Sequence, residues 1–160
     1  HRDLHLSLRR QRQMCIRDRY IPKNPNKYKG DPTNIIYRSS WELKLMRYLD
    51  EHSDVVQWAS EEFFIPYKSP IDGRYHRYFP DFWMKKKDGK VTVIEVKPAQ
   101  QTKKPDIKKK NATPTGRISR RYLNEVKTYG VNTAKWKAAV EFCEDRKWEF
   151  KIMTEKELGV

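Results

Sequence analysis

Cysteine is nearly absent from this chain: Cys15 and Cys143 are the two it has. Neither stands in a Cys-x-x-Cys or Cys/His spacing, which argues against a zinc site, and nothing points to disulfides or secretion. Cys143 falls on the apolar stripe of a predicted helix with Trp136, Ala139 and Val140, and reads as a small core residue. Long apolar runs are missing as well. None approaches the ~20 residues that span a bilayer, and the N-terminus lacks the apolar segment of a signal peptide. The expectation is a soluble protein in a reducing cytoplasm, with no membrane partner. Internal repeats are absent. Acidic residues are outnumbered, with 21 Asp and Glu against 35 Lys and Arg and a net charge of +14, and the pI is ≈ 9.8. A surface this basic favours a polyanion, nucleic acid first and an anionic membrane second, although a merely soluble basic protein has the same composition. What is present suffices for one domain: 160 residues, 37% hydrophobic and 12% aromatic.

Residues 1–19 look foreign to the rest of the chain. They lack an amphipathic pattern, and Met14 to Arg19 reads like translated adapter sequence. They are expected to be an artefactual or disordered extension, with a basic arm as the alternative. Their six Arg and two Asp contribute +4, so the remaining chain keeps +10 and its basic character.

Residues 20–160 read as a single domain. Residues 20–37, rich in Pro, Asn, Lys and Gly, predict an extended segment. Residues 39–52 predict a helix capped by Ser39 or Ser40, with Trp41, Leu45, Tyr48 and Leu49 on one stripe and Met46 at its border. Val55–Ala59 and Phe63–Tyr67 read as short strands, and Asp72-Gly73 as a tight turn. Residues 119–129 predict a second helix closed by Gly130, and residues 133–147 a third, opened by Asn132 or Thr133. Trp148–Met153 alternates as a last strand, and Thr154–Leu158 is a short capped turn. This order predicts an α/β or α+β domain with a mixed sheet.

Tyr75 to Pro98 carries the candidate chemistry. Glu95 and Lys97, two apart on a predicted strand, share a face, while Ile94 and Val96 point into the opposite layer. Asp81 joins them only if the turn allows it. A two-residue Asp88-Gly89 turn pairs Asp81 with Val96, on the wrong face. A three-residue Lys87-Asp88-Gly89 loop with a left-handed Gly89 pairs Asp81 with Glu95, with Cβ atoms roughly 5 Å apart. Two carboxylates that close repel unless a cation or proton sits between them, and hard oxygen ligands suit Mg²⁺ or Mn²⁺. The plainer alternative is a half-exposed strand with a Glu–Lys ion pair. Glu42, three residues after Ser39, reads on sequence physics as the second half of a capping box.

Residues 99–118 are polar, Lys-rich and punctuated by Pro and Gly, and read as a loop or lid. Lys97 to Arg121 holds nine Lys/Arg and one Asp, a net +8. We expect an electrostatic clamp on a phosphate backbone, with Lys103, Lys104, Lys108, Lys109, Lys110, Arg117, Arg120 and Arg121 as DNA-binding candidates. A solvated loop is the alternative.

Phe79-Pro80-Asp81-Phe82 and Ile94-Glu95-Val96-Lys97-Pro98, after a helix that opens Ser39-Ser40-Trp41-Glu42, resemble the PD-(D/E)xK nuclease superfamily in its transposon-endonuclease, TnsA-like branch. Lys29 to Ser39, Tyr129 to Asn132, Lys135 to Ala139 and Glu141 to Cys143 carry a closer resemblance, from Tyr20 to Gly159, to the head completion nucleases of tailed bacteriophages. The resemblance implies a restriction-endonuclease-like core, a mixed sheet flanked by helices. It implies Mg²⁺-dependent hydrolysis of phosphodiester bonds, with Mn²⁺ able to substitute, and a role in processing packaged DNA so that filled heads join tails. Double-stranded phage DNA is the implied substrate and portal or neck proteins the implied partners. The implied location is the host cytoplasm during assembly, and the head–neck region of the virion. By motif, Asp81 and Glu95 carry over as metal ligands, Lys97 as the catalytic lysine, and Glu42 as a helix-borne acidic residue at the metal. That last assignment reverses the capping-box reading. Two alternatives stand beside it: a structural neck or DNA-end-binding protein with a vestigial site, and a transposition or repair endonuclease.

Overall fold

The computed structural model describes residues 18–106 and 115–160. The short strands β1 (Asp18–Tyr20) and β2 (Ile35–Tyr37) pair antiparallel, with a 3-10 turn at Pro25–Lys27 between them. Helix α1 (Ser40–Glu51) comes next, then β3 (Val55–Ser60), a hairpin of β4 (Ile65–Lys68) and β5 (Tyr75–Tyr78), and a second hairpin of β6 (Phe82–Lys86) and β7 (Val91–Val96). Helix α2 (Arg120–Asp145), strand β8 (Glu149–Met153) and the single turn α3 (Glu155–Leu158) complete the order. The central sheet runs β3–β6–β7–β8. Its β7–β8 pair is parallel and the others are antiparallel, so the sheet is mixed, as the element order predicts.

Strand alternation divides the side chains between two layers. Trp58, Phe82 and Ile94 pack with Leu45, Met46 and Leu49 of α1. Ala59, Trp83, Val91 and Val93 pack with Cys143 of α2, confirming Cys143 as a core residue. Ile65, Tyr67 and Tyr78 of the β4–β5 hairpin close over Ala139 of the same helix. Each large side chain so buried contributes about 1.5–3 kcal/mol, which is why short strands hold their register here.

The segment before α1 is extended, as its composition predicts, and is tied down by a buried carboxylate. Asp50 accepts hydrogen bonds from the Tyr20 hydroxyl (3.0 Å) and from the amides of Lys23 (2.7 Å) and Asn24 (3.2 Å). The Tyr20 and Tyr28 rings lie 6.0 and 4.8 Å from that of Trp58. Asp18 and Arg19, grouped by composition with the foreign leader, pair here with Tyr37 and Ile36. The rest of that leader lies outside the described residues.

Three expectations need correcting. Residues 120–145 form one helix, not two. Ser119 caps it by accepting from the Tyr122 amide (3.1 Å). Gly130 continues the helix: no proline succeeds it, and a Cβ there would meet Pro70 Cγ at 3.8 Å, an ordinary contact. Thr133 does not open a new helix, because its hydroxyl donates to the Tyr129 carbonyl one turn back (2.7 Å). On α1, Tyr48 is exposed and Met46 is fully buried, and on α2 Val140 is exposed. The sheet presses on a narrower arc of each helix than an apolar stripe suggests. Among the described residues no helix is long and apolar enough to cross a membrane.

Candidate active site

The β6–β7 connection decides which side chains meet. The Lys86 amide donates to the Lys90 carbonyl (2.9 Å) and the Gly89 amide to the Lys86 carbonyl (3.0 Å), while Gly89 takes φ +82°. This is the three-residue loop with a left-handed glycine, a conformation that costs glycine least. The resulting register pairs Phe82 with Ile94 and Trp83 with Val93. Carried one residue further, it sets Asp81 opposite Glu95.

Glu95 is 4% exposed. Its Oε2 accepts a 2.6 Å hydrogen bond from the Tyr78 hydroxyl, and its Oε1 lies 3.2 Å from Lys97 Nζ. Burial, and then the Glu95 charge, push the Tyr78 phenol far above its ordinary range, so it remains a donor. Asp81 accepts from the Val96 amide at Oδ2 (2.7 Å). Burial first and the Glu95 charge second push the Asp81 carboxyl up to about 7; the Val96 N–H and Lys97 oppose that shift, and Glu42 adds a smaller push. The pair repels itself across the strand gap, and the Lys97 ammonium is the cation that offsets this repulsion in the structure.

Glu42 stands apart from this trio. Ser39 Oγ accepts from the Glu42 amide (3.1 Å) and donates to Glu42 Oε1 (3.0 Å), while the Arg38 amide donates to Oε2 (3.0 Å). The Glu42 carboxylate therefore closes the N-terminus of α1 and reaches Asp81 through its field alone. Among the described residues, no group of three or more His, Cys, Asp or Glu side chains is gathered tightly enough to hold a metal ion. The gathered set is Asp81, Glu95 and Lys97.

Sequence reasoning passed over three neighbours of this set. Tyr78 was detectable as an inward position of β5 just before Asp81, but no sequence pattern marks it as a partner for a carboxylate. Arg38 Nη1 donates to Glu61 Oε1 (2.7 Å), and the charges of Glu61, Glu42 and Asp81 all raise the guanidinium pKa. Glu61 adopts φ +53°, and its amide donates to the Asp81 carbonyl (3.3 Å).

The basic segment starts just beyond Lys97. A 3-10 turn, Ala99–Thr102, is held by the Ala99 amide on Glu155 (2.8 Å). Past it, Lys103 and Lys104 face Arg120 and Arg121 of α2 across a cleft of ≈ 790 Å³, with Asn124 and Tyr129 in its wall. Arg121 also pairs with Glu125 (3.2 Å). Arg117 is exposed just before α2. Lys108, Lys109 and Lys110 lie outside the described residues.

Two facing carboxylates and a lysine thus flank the inner strands of a mixed sheet. Residues 52–155, which include Asp81, Glu95 and Lys97, match the family described as TnsA-like endonuclease N terminal, and the chain belongs to that family. It is also 41% identical over 142 residues to the head completion nuclease of Enterobacteria phage T4, a match covering 89% of this chain and 93% of that protein.

Proposed function

We propose that the chain is a divalent-metal-dependent DNA nuclease acting in phage head completion. The observation that carries this is the register that sets Asp81 opposite Glu95, with Lys97 3.2 Å from Glu95. The residues fit Mg²⁺, and Mn²⁺ as a substitute: the donors are hard oxygens, and their mutual repulsion is what a cation relieves. Asp81 and Glu95 would hold it, with Glu42 as a third carboxylate once released from its cap. Such an ion supplies Lewis-acid polarisation of a phosphoryl oxygen and a more acidic water. The chain's own residues do the rest. Tyr78 fixes Oε2 of Glu95 and so sets the orientation of that carboxylate. Lys97 holds the attacking water and places positive charge where negative charge develops on the phosphorane. Lys103, Lys104, Arg120 and Arg121 grip the phosphates that flank the cut, joined by Lys108, Lys109, Lys110 and Arg117. The extended match to a head completion nuclease supports a role in phage head completion. Processing of packaged double-stranded DNA before tail joining, portal or neck proteins as partners and the host cytoplasm as the setting are part of the proposal, carried over from the resemblance.

Linear duplex DNA incubated with the protein and Mg²⁺ should be cut, and Glu95→Gln should leave it intact. Cutting by that variant at the wild-type rate would overturn the site. A separate check addresses the cleft. Changing Lys103, Lys104, Arg120 and Arg121 together to Gln should weaken DNA binding and flatten the slope of log K against log salt by roughly 0.9 for each phosphate no longer neutralised. An unchanged slope in a binding titration would return the segment to a solvated loop.

A further inference from the structure

The β4–β5 hairpin has two unlike faces. Its pairing sets Ile65 opposite Tyr78, Pro66 opposite Arg77, Tyr67 opposite His76 and Lys68 opposite Tyr75. Ile65, Tyr67 and Tyr78 are buried against α2, and Tyr78 reaches Glu95. The other face has no covering element among the described residues. Outward from the active site, it carries three cross-strand rows: Phe64 with Phe79, Pro66 with Arg77, and Lys68 with Tyr75. The first row continues the register by one residue, and its rings do meet, at 5.9 Å between centroids and 54° between planes. The Arg77 guanidinium lies 5.5 Å from the centre of the Phe64 ring. Phe64 is 47% exposed, Phe79 44% and Tyr75 76%. None of the six residues is acidic; Asp72, at the hairpin tip, is engaged by His76 (2.8 Å) and by the Arg74 amide (3.0 Å).

We infer that this face binds an unpaired DNA strand leading to or from the cut, so that the preferred substrate is DNA with a single-stranded end, gap or branch. The inference rests on the nuclease reading above. Exposed aromatic rings at the water surface cost solvation and need a partner, and interleaved Arg and Lys give that partner negative charge. Bases stacked on aromatic rings, with phosphates on the cations between them, satisfy both demands. Base-paired DNA keeps its ring faces buried in its own stack and cannot use the platform. Position favours nucleic acid over protein here. Phe79 is two residues from Asp81, within ~7 Å along an extended chain, and successive rows on one strand face are about 6.7 Å apart. The ladder therefore begins two residues from Asp81, on the face opposite the one that Tyr78 turns to Glu95, and runs away from it along the hairpin.

The test is made in a Glu95→Gln background, so that DNA is bound and not cut. Fluorescence anisotropy compares a blunt duplex, the same duplex with a single-stranded tail, and single-stranded oligothymidine at one salt concentration. The tailed duplex should bind more tightly than the blunt one. The double change Phe64→Leu/Phe79→Leu keeps apolar bulk but removes the rings, and should weaken tail and single-strand binding about 5- to 100-fold while leaving the blunt duplex unchanged. A 2-aminopurine base in the tail should be quenched by the Glu95→Gln protein and not by the triple variant; unchanged circular dichroism shows that the fold is retained. Equal loss on blunt and tailed DNA, or no loss on either, overturns the inference, the second result giving this face to a protein partner. Failure of the Glu95→Gln protein to bind any DNA overturns the nuclease reading itself.

Discussion

Replacing Asp81 with Asn should lower DNA cleavage by about 10³-fold and, in metal-free buffer, make the fold more stable. Both effects have one cause. The Asp81 charge is held beside that of Glu95 in a half-buried setting, and its carboxyl is pushed up to about 7. Between its unfolded pKa of 3.8 and that value, the folded chain binds more protons than the unfolded one, so stability falls as pH rises through the window. Asn carries no charge, and its amide oxygen can still accept the Val96 N–H. Partial exposure and solvent screening reduce the full 1.36 kcal/mol per pKa unit, leaving on the order of 1–2 kcal/mol above pH 7, or roughly 3–6 °C in Tm. The two proteins should converge near pH 4. On the proposed metal-binding role, activity falls because one of the two oxygen donors is weakened, at a cost of several kcal/mol in transition-state stabilisation. Thermal melts in EDTA at pH 4 and pH 8, with cleavage assays alongside, check both halves. A variant that is less stable at pH 8 would mean that Asp81 is a structural acceptor and not a strained charge.

Changing Lys97 to Met should reduce the rate of bond cleavage by about 10²–10³-fold while DNA affinity stays within about threefold. Lys97 is half-buried, with its ammonium on Glu95 and not out in the cleft. It is thus placed for charge that appears only during reaction, and ground-state DNA gains little from it. Single-turnover kinetics at saturating protein separate the two quantities. A parallel fall in affinity and rate would make Lys97 a phosphate anchor, equivalent to the lysines of the cleft.

The clustering of the candidate site residues was legible in the sequence because its geometry is local. Once Gly89 adopts the left-handed turn, a strand period of two does the rest, and Asp81, Glu95 and Lys97 fall together with no long-range information. The capping box at Glu42 was equally local, and half of it forms as read: Ser39 Oγ accepts the Glu42 amide, while the Glu42 carboxylate takes the Arg38 amide and the Ser39 hydroxyl in place of the Ser39 amide. What the resemblance adds for Glu42, a place at the metal, requires the side chain to leave that box. The illegible parts depend on tertiary contacts. Gly130 looks like a helix stop by residue type, yet the helix continues past it and packs against the β4–β5 hairpin. Tyr78 became a partner of Glu95 because that hairpin folds over α2, a contact no neighbouring residue announces. Tyr48 and Val140 have apolar spacing but lie just beyond the arc that the sheet covers. The facing of Lys103 and Lys104 against Arg120 and Arg121 likewise arises from where the loop returns to α2.

Asp81 and Glu95 are proposed to form a metal-dependent site for cutting DNA. Its most direct test is cleavage of linear DNA by the wild-type protein, first in EDTA and then as Mg²⁺ is restored in excess of the chelator. Cleavage should be absent in EDTA and should recover, to saturation, with added Mg²⁺. A cleavage rate that chelation leaves unchanged would contradict the proposed site.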